Sequence, residues 1–120
     1  MKNIDSLSHV RGESIYLDDI PLVQGTLFAC VFDSPVAHGK LNSIDTTGVE
    51  RSEGVFRVIT AKDIIGENQI GGIVPDEPLL ADDEVHFQGM PIAIVLATSE
   101  ELARKAAKKI AVEIDELKPI

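Results

Sequence analysis

Tryptophan is absent from the 120 residues, and aromatic side chains make up only 4% of them. A core that cannot draw on large aromatic areas must be built from Ile, Val, Leu and Ala, which pack without polar handles. Cysteine is reduced to Cys30 alone. A single thiol can neither close an internal disulfide nor make a metal site by itself, and such a chain fits a reducing compartment. The start Met1-Lys2-Asn3-Ile4-Asp5 has no apolar stretch of the signal-peptide kind, and no run approaches the ~20 apolar residues of a membrane span. A cytoplasmic location and no membrane partner are therefore expected. Basic residues are also few, 11 against 20 acidic ones, for a net charge of -9. Five of those 11 are Arg104, Lys105, Lys108, Lys109 and Lys118, so the remainder of the chain is more acidic still. Phosphate binding is driven by clustered Lys and Arg, and this surface would repel nucleic acid.

What is present amounts to one ordinary domain, with 44% hydrophobic residues and a length that can bury one core. Residues 1–13 show neither a helical nor a strand period, and residues 1–11 are expected to form a polar tail before a single domain spanning 12–120. Alternation from Ser14 to Leu17 predicts a short strand ending at Asp18-Asp19, and Thr26 to Phe32 a buried strand stopped by Asp33-Ser34-Pro35. Lys40 to Ile44 and Val55 to Ile59 read as two further strands. Thr60-Ala61-Lys62-Asp63 then has the capping-box pattern, and Gly66 leaves room for a very short helix only. Residues 66–83 are the least regular part, a loop long enough to be functional or covered by a partner. Val85 to Phe87 and Ile92 to Leu96 are expected to pair around Gln88-Gly89-Met90-Pro91 as a hairpin or bent ribbon.

The clearest helix starts at Thr98-Ser99-Glu100-Glu101, where Thr98 and Glu101 could form a capping box and the acids meet the positive end of the dipole. Leu102, Ala103, Ala106, Ala107 and Ile110 form an apolar stripe whose alanines would let the helix lie close on a sheet. A last strand follows from Ala111 to Glu116. About seven short strands with so few helices exclude a doubly wound parallel sheet. The expected class is α+β with a mixed sheet.

Chemistry is sparse. His9, His38 and His86 lack metal-ligand spacing, so His38 reads as a turn residue bonded to backbone and His86 as an outward residue on a strand. Asp18-Asp19, Asp76-Glu77 and Asp82-Asp83-Glu84 lack the alternating acid-and-glycine pattern of a calcium loop and read as solvated turns. No G-x-S-x-G surrounds a serine, Cys30 reads as inert packing on a buried strand, and Gly71-Gly72 opens no helix and reads as a turn. No catalytic, cofactor-binding or metal residue is assigned.

Five segments in order carry a resemblance. Gly12 to Pro21 follows a G-x-A-x-Y-x-D-D-I-P pattern with Ser14 in place of Ala, and Ser34-Pro35-Val36-Ala37-His38-Gly39 to Ile44-Asp45 follows SP-x-AHA-x-I-x-x-ID. Gly54 to Ile64, Pro78 to Ala81 and Val85 to Ala93 complete the series, with Gly39 where Ala is usual and Met90 where Gln is usual. The chain resembles the N-terminal α/β-hammerhead domain of the molybdenum-binding large subunit of the xanthine dehydrogenase and aldehyde oxidase family. That resemblance implies a mixed sheet with a protruding bent ribbon and about two helices. It also implies a piece of a longer oxidoreductase subunit, silent by itself, in which the molybdenum-molybdopterin residues lie beyond this segment. The expected partners are those missing molybdenum-binding domains and iron-sulfur and FAD subunits or domains. Two other readings stand beside it: a lipoyl or biotin carrier using Lys40, and a free-standing acidic interaction module.

Overall fold

The structure is a computed structural model that describes residues 5–119. Six strands and three α-helices follow one another as α1 (Ser6–Arg11), β1 (Phe28–Asp33), β2 (Gly39–Asp45), α2 (Thr47–Glu50), β3 (Val55–Thr60), β4 (Glu84–Val85), β5 (Pro91–Ala97), α3 (Glu100–Ala107) and β6 (Ala111–Glu116). The α+β class holds. The expected sheet is realised as two three-stranded sheets, ordered β1-β5-β3 and β4-β2-β6, in which every pairing is antiparallel.

β5 is the centre of the first sheet because its sequence, Pro-Ile-Ala-Ile-Val-Leu-Ala, is apolar at nearly every position and can be covered on both faces. Pro91 opens the strand, where a missing amide costs no ladder bond. In register, Cys30 and Val58 flank Val95 from either side. Helix α3 covers this sheet through Ala103, Ala106 and Ala107, all buried. A second cluster, Leu41, Ala81, Val85, Met90 and Ile92, fills the space under the other sheet. Phe32, Ile44 and Val112 touch both clusters and make one continuous core. Each of the larger buried side chains contributes about 1.5–3 kcal/mol by leaving water.

Several local expectations are corrected. Ser14 to Leu17 is not a strand, for no partner lies beside it; Asp19 instead accepts from the Tyr16 amide at 3.0 Å and closes a 3-10 turn over Leu17–Asp19. The segment read as lacking any helical period carries α1, a helix with no buried residue, which Gly12 ends in the left-handed conformation at φ 68°. β1 is half-exposed rather than buried, because it lies at a sheet edge. β4 and β5 do not pair with each other. Residues between them fold back on Ser34, whose amide donates to the Met90 carbonyl at 2.8 Å and whose carbonyl accepts from Gly89 at 2.9 Å. Gly89, at φ 90°, makes that reversal possible. The two strands therefore enter different sheets. Finally, the cap of α3 is Ser99, which accepts from the Leu102 amide at 3.2 Å, one residue after the expected Thr98.

Other expectations are met. The Thr60–Asp63 capping box closes a 3-10 turn, with the Thr60 amide donating to Asp63 at 2.8 Å. The irregular loop has a clamped stem, since the Asn68 side chain donates to the Leu80 carbonyl at 2.7 Å and accepts from the Leu80 amide at 3.0 Å.

Candidate functional site

The register of β2 against β4 decides where the histidines fall. Gly39 faces Val85 and Lys40 faces Glu84, so His38 and His86, one step further along, come to the same end of the ribbon. Strand alternation puts Glu84 and His86 on one face of their segment. His38 Nε2 lies 2.7 Å from Glu84 Oε1, and His86 Nδ1 lies 3.7 Å from the same oxygen. The two rings stack with centroids 6.3 Å apart. His38 Nδ1 is 2.9 Å from the carbonyl oxygen of Lys118. Both of its neighbours are oxygen acceptors, which favours the protonated ring. Accordingly its pKa is raised above 6.5, by the Lys118 carbonyl first and by Glu84 second.

The expectation for His38 is met in kind, since it bonds backbone, but the backbone is that of Lys118 across the sheet. The cluster itself was missed. The Glu84-x-His86 spacing on a strand is visible in the sequence; that His38 faces it depends on a pairing that no local pattern encodes. His9 stands apart, bonded to Ser14 Oγ at 2.7 Å. Asp18, Asp19, Asp76, Glu77, Asp82 and Asp83 are exposed, as solvated turn acids should be. Cys30 is half-buried, a consequence of the edge position of β1. Lys40 lies inside β2, opposite Glu84 on one side and Asp115 on the other, and not at a hairpin tip. The carrier reading thereby loses its lysine.

A molybdopterin does not fit the residues present. Among the described residues no buried side-chain nitrogen or oxygen lacks a partner. Gly71 is crowded by the Val74 carbonyl of its own turn, while Gly72 faces open space, so neither forms a cradle closed around a ligand.

The larger feature is apolar surface left uncovered. Residues 15–26 form an arm in which every residue is exposed, with Leu17 at 83% and Val23 at 78% of full accessibility. Ile65, just before the irregular loop, and Ile73 and Val74 within it are likewise exposed, Ile73 at 98%. A folded 13.0 kDa monomer presents about 6,300 Å² of surface. This chain presents 9146 Å². Its radius of gyration is 19.0 Å, where about 13.6 Å is usual at this length. A chain this extended leaves in water many apolar side chains that a compact monomer of its size would cover. Among the described residues, no helix is long and apolar enough to cross a membrane.

Two packed antiparallel sheets, a single well-packed helix and an uncovered apolar arm define the class: an α+β domain of hammerhead type. Residues 11–118 match the family described as aldehyde oxidase and xanthine dehydrogenase, a/b hammerhead domain, and the chain belongs to that family. It is 41% identical over 118 residues to xanthine dehydrogenase 1 of Arabidopsis thaliana, covering 98% of this chain and 9% of that protein. The aldehyde oxidoreductase of Desulfovibrio gigas superposes with a TM-score of 0.84 at 34% identity, over 96% of this chain and 14% of that one. The Cu,Mo-CO dehydrogenase superposes with a TM-score of 0.85 at 31% identity, over 98% and 15%. The chain thus spans a small part of the length of the relatives it matches.

Proposed function

We propose that this chain is the structural hammerhead domain of a molybdenum hydroxylase, and that its arm and loop pack against the molybdenum-binding part of the same subunit. On this reading the domain proper spans residues 12–120, with 1–11 as a polar N-terminal tail. The observation that carries this reading is the surplus of about 2,800 Å² over a free monomer of this mass, which includes the apolar residues Leu17, Leu22, Val23 and Ile73. An area of that order matches an obligate interface. On this reading the assembled enzyme hydroxylates a purine, other heteroaromatic or aldehyde substrate, holds molybdenum-molybdopterin outside this chain, and passes electrons to iron-sulfur and FAD groups on partner domains or subunits in the cytoplasm.

The test is substitution of the arm within the assembled enzyme. Leu17→Asp combined with Val23→Asp should lower the yield of assembled, molybdenum-loaded enzyme while the 120-residue chain alone keeps its circular dichroism and melting temperature. Unchanged assembly would overturn the reading.

A further inference from the structure

We propose that His38, Glu84 and His86 form a binding site for a divalent first-row transition metal of the zinc class. Neither the hammerhead reading nor any chemistry of the assembled enzyme assigns these residues a ligand, and the proposal does not depend on that function.

The first argument is the donor set. One nitrogen of each histidine and a carboxylate oxygen of Glu84 all lie within 4.8 Å of one another. Two imidazoles and one carboxylate suit zinc, copper, nickel or iron and do not favour magnesium or calcium, which select oxygen. Ligand atoms ~2.0–2.1 Å from a tetrahedral zinc stand about 3.3 Å apart. The observed separations of 2.7 Å and 3.7 Å from Glu84 Oε1 bracket that value. Small side-chain rotations, without movement of the strands, would bring both to it.

The second argument is the support behind the first ligand. His38 Nδ1 donates to the Lys118 carbonyl at 2.9 Å, which fixes the ring and leaves Nε2 as the nitrogen aimed at Glu84. A histidine held through its far nitrogen by a backbone carbonyl is how metal-ligating imidazoles are commonly oriented. In the metal-free molecule Nε2 and Glu84 Oε1 pair directly at 2.7 Å, and the ion would replace that contact. Exposure is graded in the right sense: the side chain of His38 is 13% exposed, Glu84 40% and His86 52%. One ligand is anchored in the fold and two are open to an arriving ion. Lys40 is the one cation on the facing strand, and Asp115 and Glu116 of β6 offset it. Three protein ligands leave a fourth position to water. Bound there, the ion would tie the start of β2, the short β4 and the segment after β6.

The test is calorimetric titration of zinc chloride into the tag-free, chelator-stripped 120-residue chain. The expected result is one ion per chain, with His86→Ala and Glu84→Gln each weakening binding at least about tenfold, since even a supporting outer-shell group is worth about 10–100-fold. His9→Ala should leave binding unchanged, and magnesium chloride should give no signal. His86 is exposed and its side chain supports no core contact, so that variant stays folded even where a His38 substitution would not. In nitrogen-detected imidazole spectra, His38 and His86 should shift together on adding zinc while His9 stays fixed. Absence of stoichiometric binding, or His86→Ala and Glu84→Gln variants that bind as the parent does, would overturn the proposal.

Discussion

Replacing Ala103 by Leu tests how closely α3 lies on the β1-β5-β3 sheet. Ala103 is wholly inaccessible, and Ala106 and Ala107 beside it are nearly so. A methyl group is the largest side chain the gap between helix and sheet accepts, so a leucine must push the helix outward or take a poor rotamer. Overpacking of this kind costs about 1–3 kcal/mol. Leucine is only slightly poorer than alanine as a helix former, so propensity adds a few tenths at most. At about 4 °C per kcal/mol for a chain of this size, the melting temperature should fall by about 4–12 °C. The control is Lys105→Leu, on the exposed side of the same helix, which should stay within about 0.5 kcal/mol of the parent. Urea unfolding followed by circular dichroism measures both, and an unchanged m-value would show that only stability moved. If Ala103→Leu were as stable as Lys105→Leu, the helix would stand off the sheet and the packing argument would fail.

Two further predictions concern the capping groups. Ser99→Ala should cost about 1 kcal/mol, the usual worth of an N-cap hydroxyl, and Thr98→Ala clearly less; the reverse order in urea unfolding would restore Thr98 as the cap. Asp63 is held below 3.8 by the Thr60 amide first and by Arg57 next. A lowered folded-state value means that its contribution is present above about pH 4 and is lost as pH falls through the folded value. Asp63→Asn should therefore be less stable than the parent at neutral pH and converge on it in acid, measured by thermal melts from neutral pH downward.

Much of the core was legible from local pattern, and the failures share one cause. β2, β3, β5 and β6 each carry an apolar period and a turn signal, and each lies where expected to within a residue or two. The capping box at Thr60–Asp63 depends on four adjacent residues and is also present. Pairing was a different matter. Val85 to Phe87 was assigned to β5 because the two are neighbours in sequence, yet Ser34, more than 50 positions from Gly89, supplies the bonds that turn the chain away. Alternation at Ser14 to Leu17 satisfies the pattern of a strand, but among the described residues no strand pairs with it. The histidine cluster escaped for the same reason, since His38 and Glu84 are 46 residues apart and meet through the β2–β4 register. Family membership was legible because it rests on order of residues along the chain.

Amide hydrogen exchange tests that docking most directly. In the isolated chain the hydrogen bonds of the arm, among the described residues, are turn bonds such as the Thr26 amide to the Val23 carbonyl at 3.0 Å, so its amides should exchange at nearly open-chain rates. In the assembled enzyme, residues 15–26 and the loop around Ile73 should become strongly protected, while the β5 amides stay slow in both states as the internal reference. Arm amides that exchange as fast in the assembled enzyme as in the isolated chain would contradict the account.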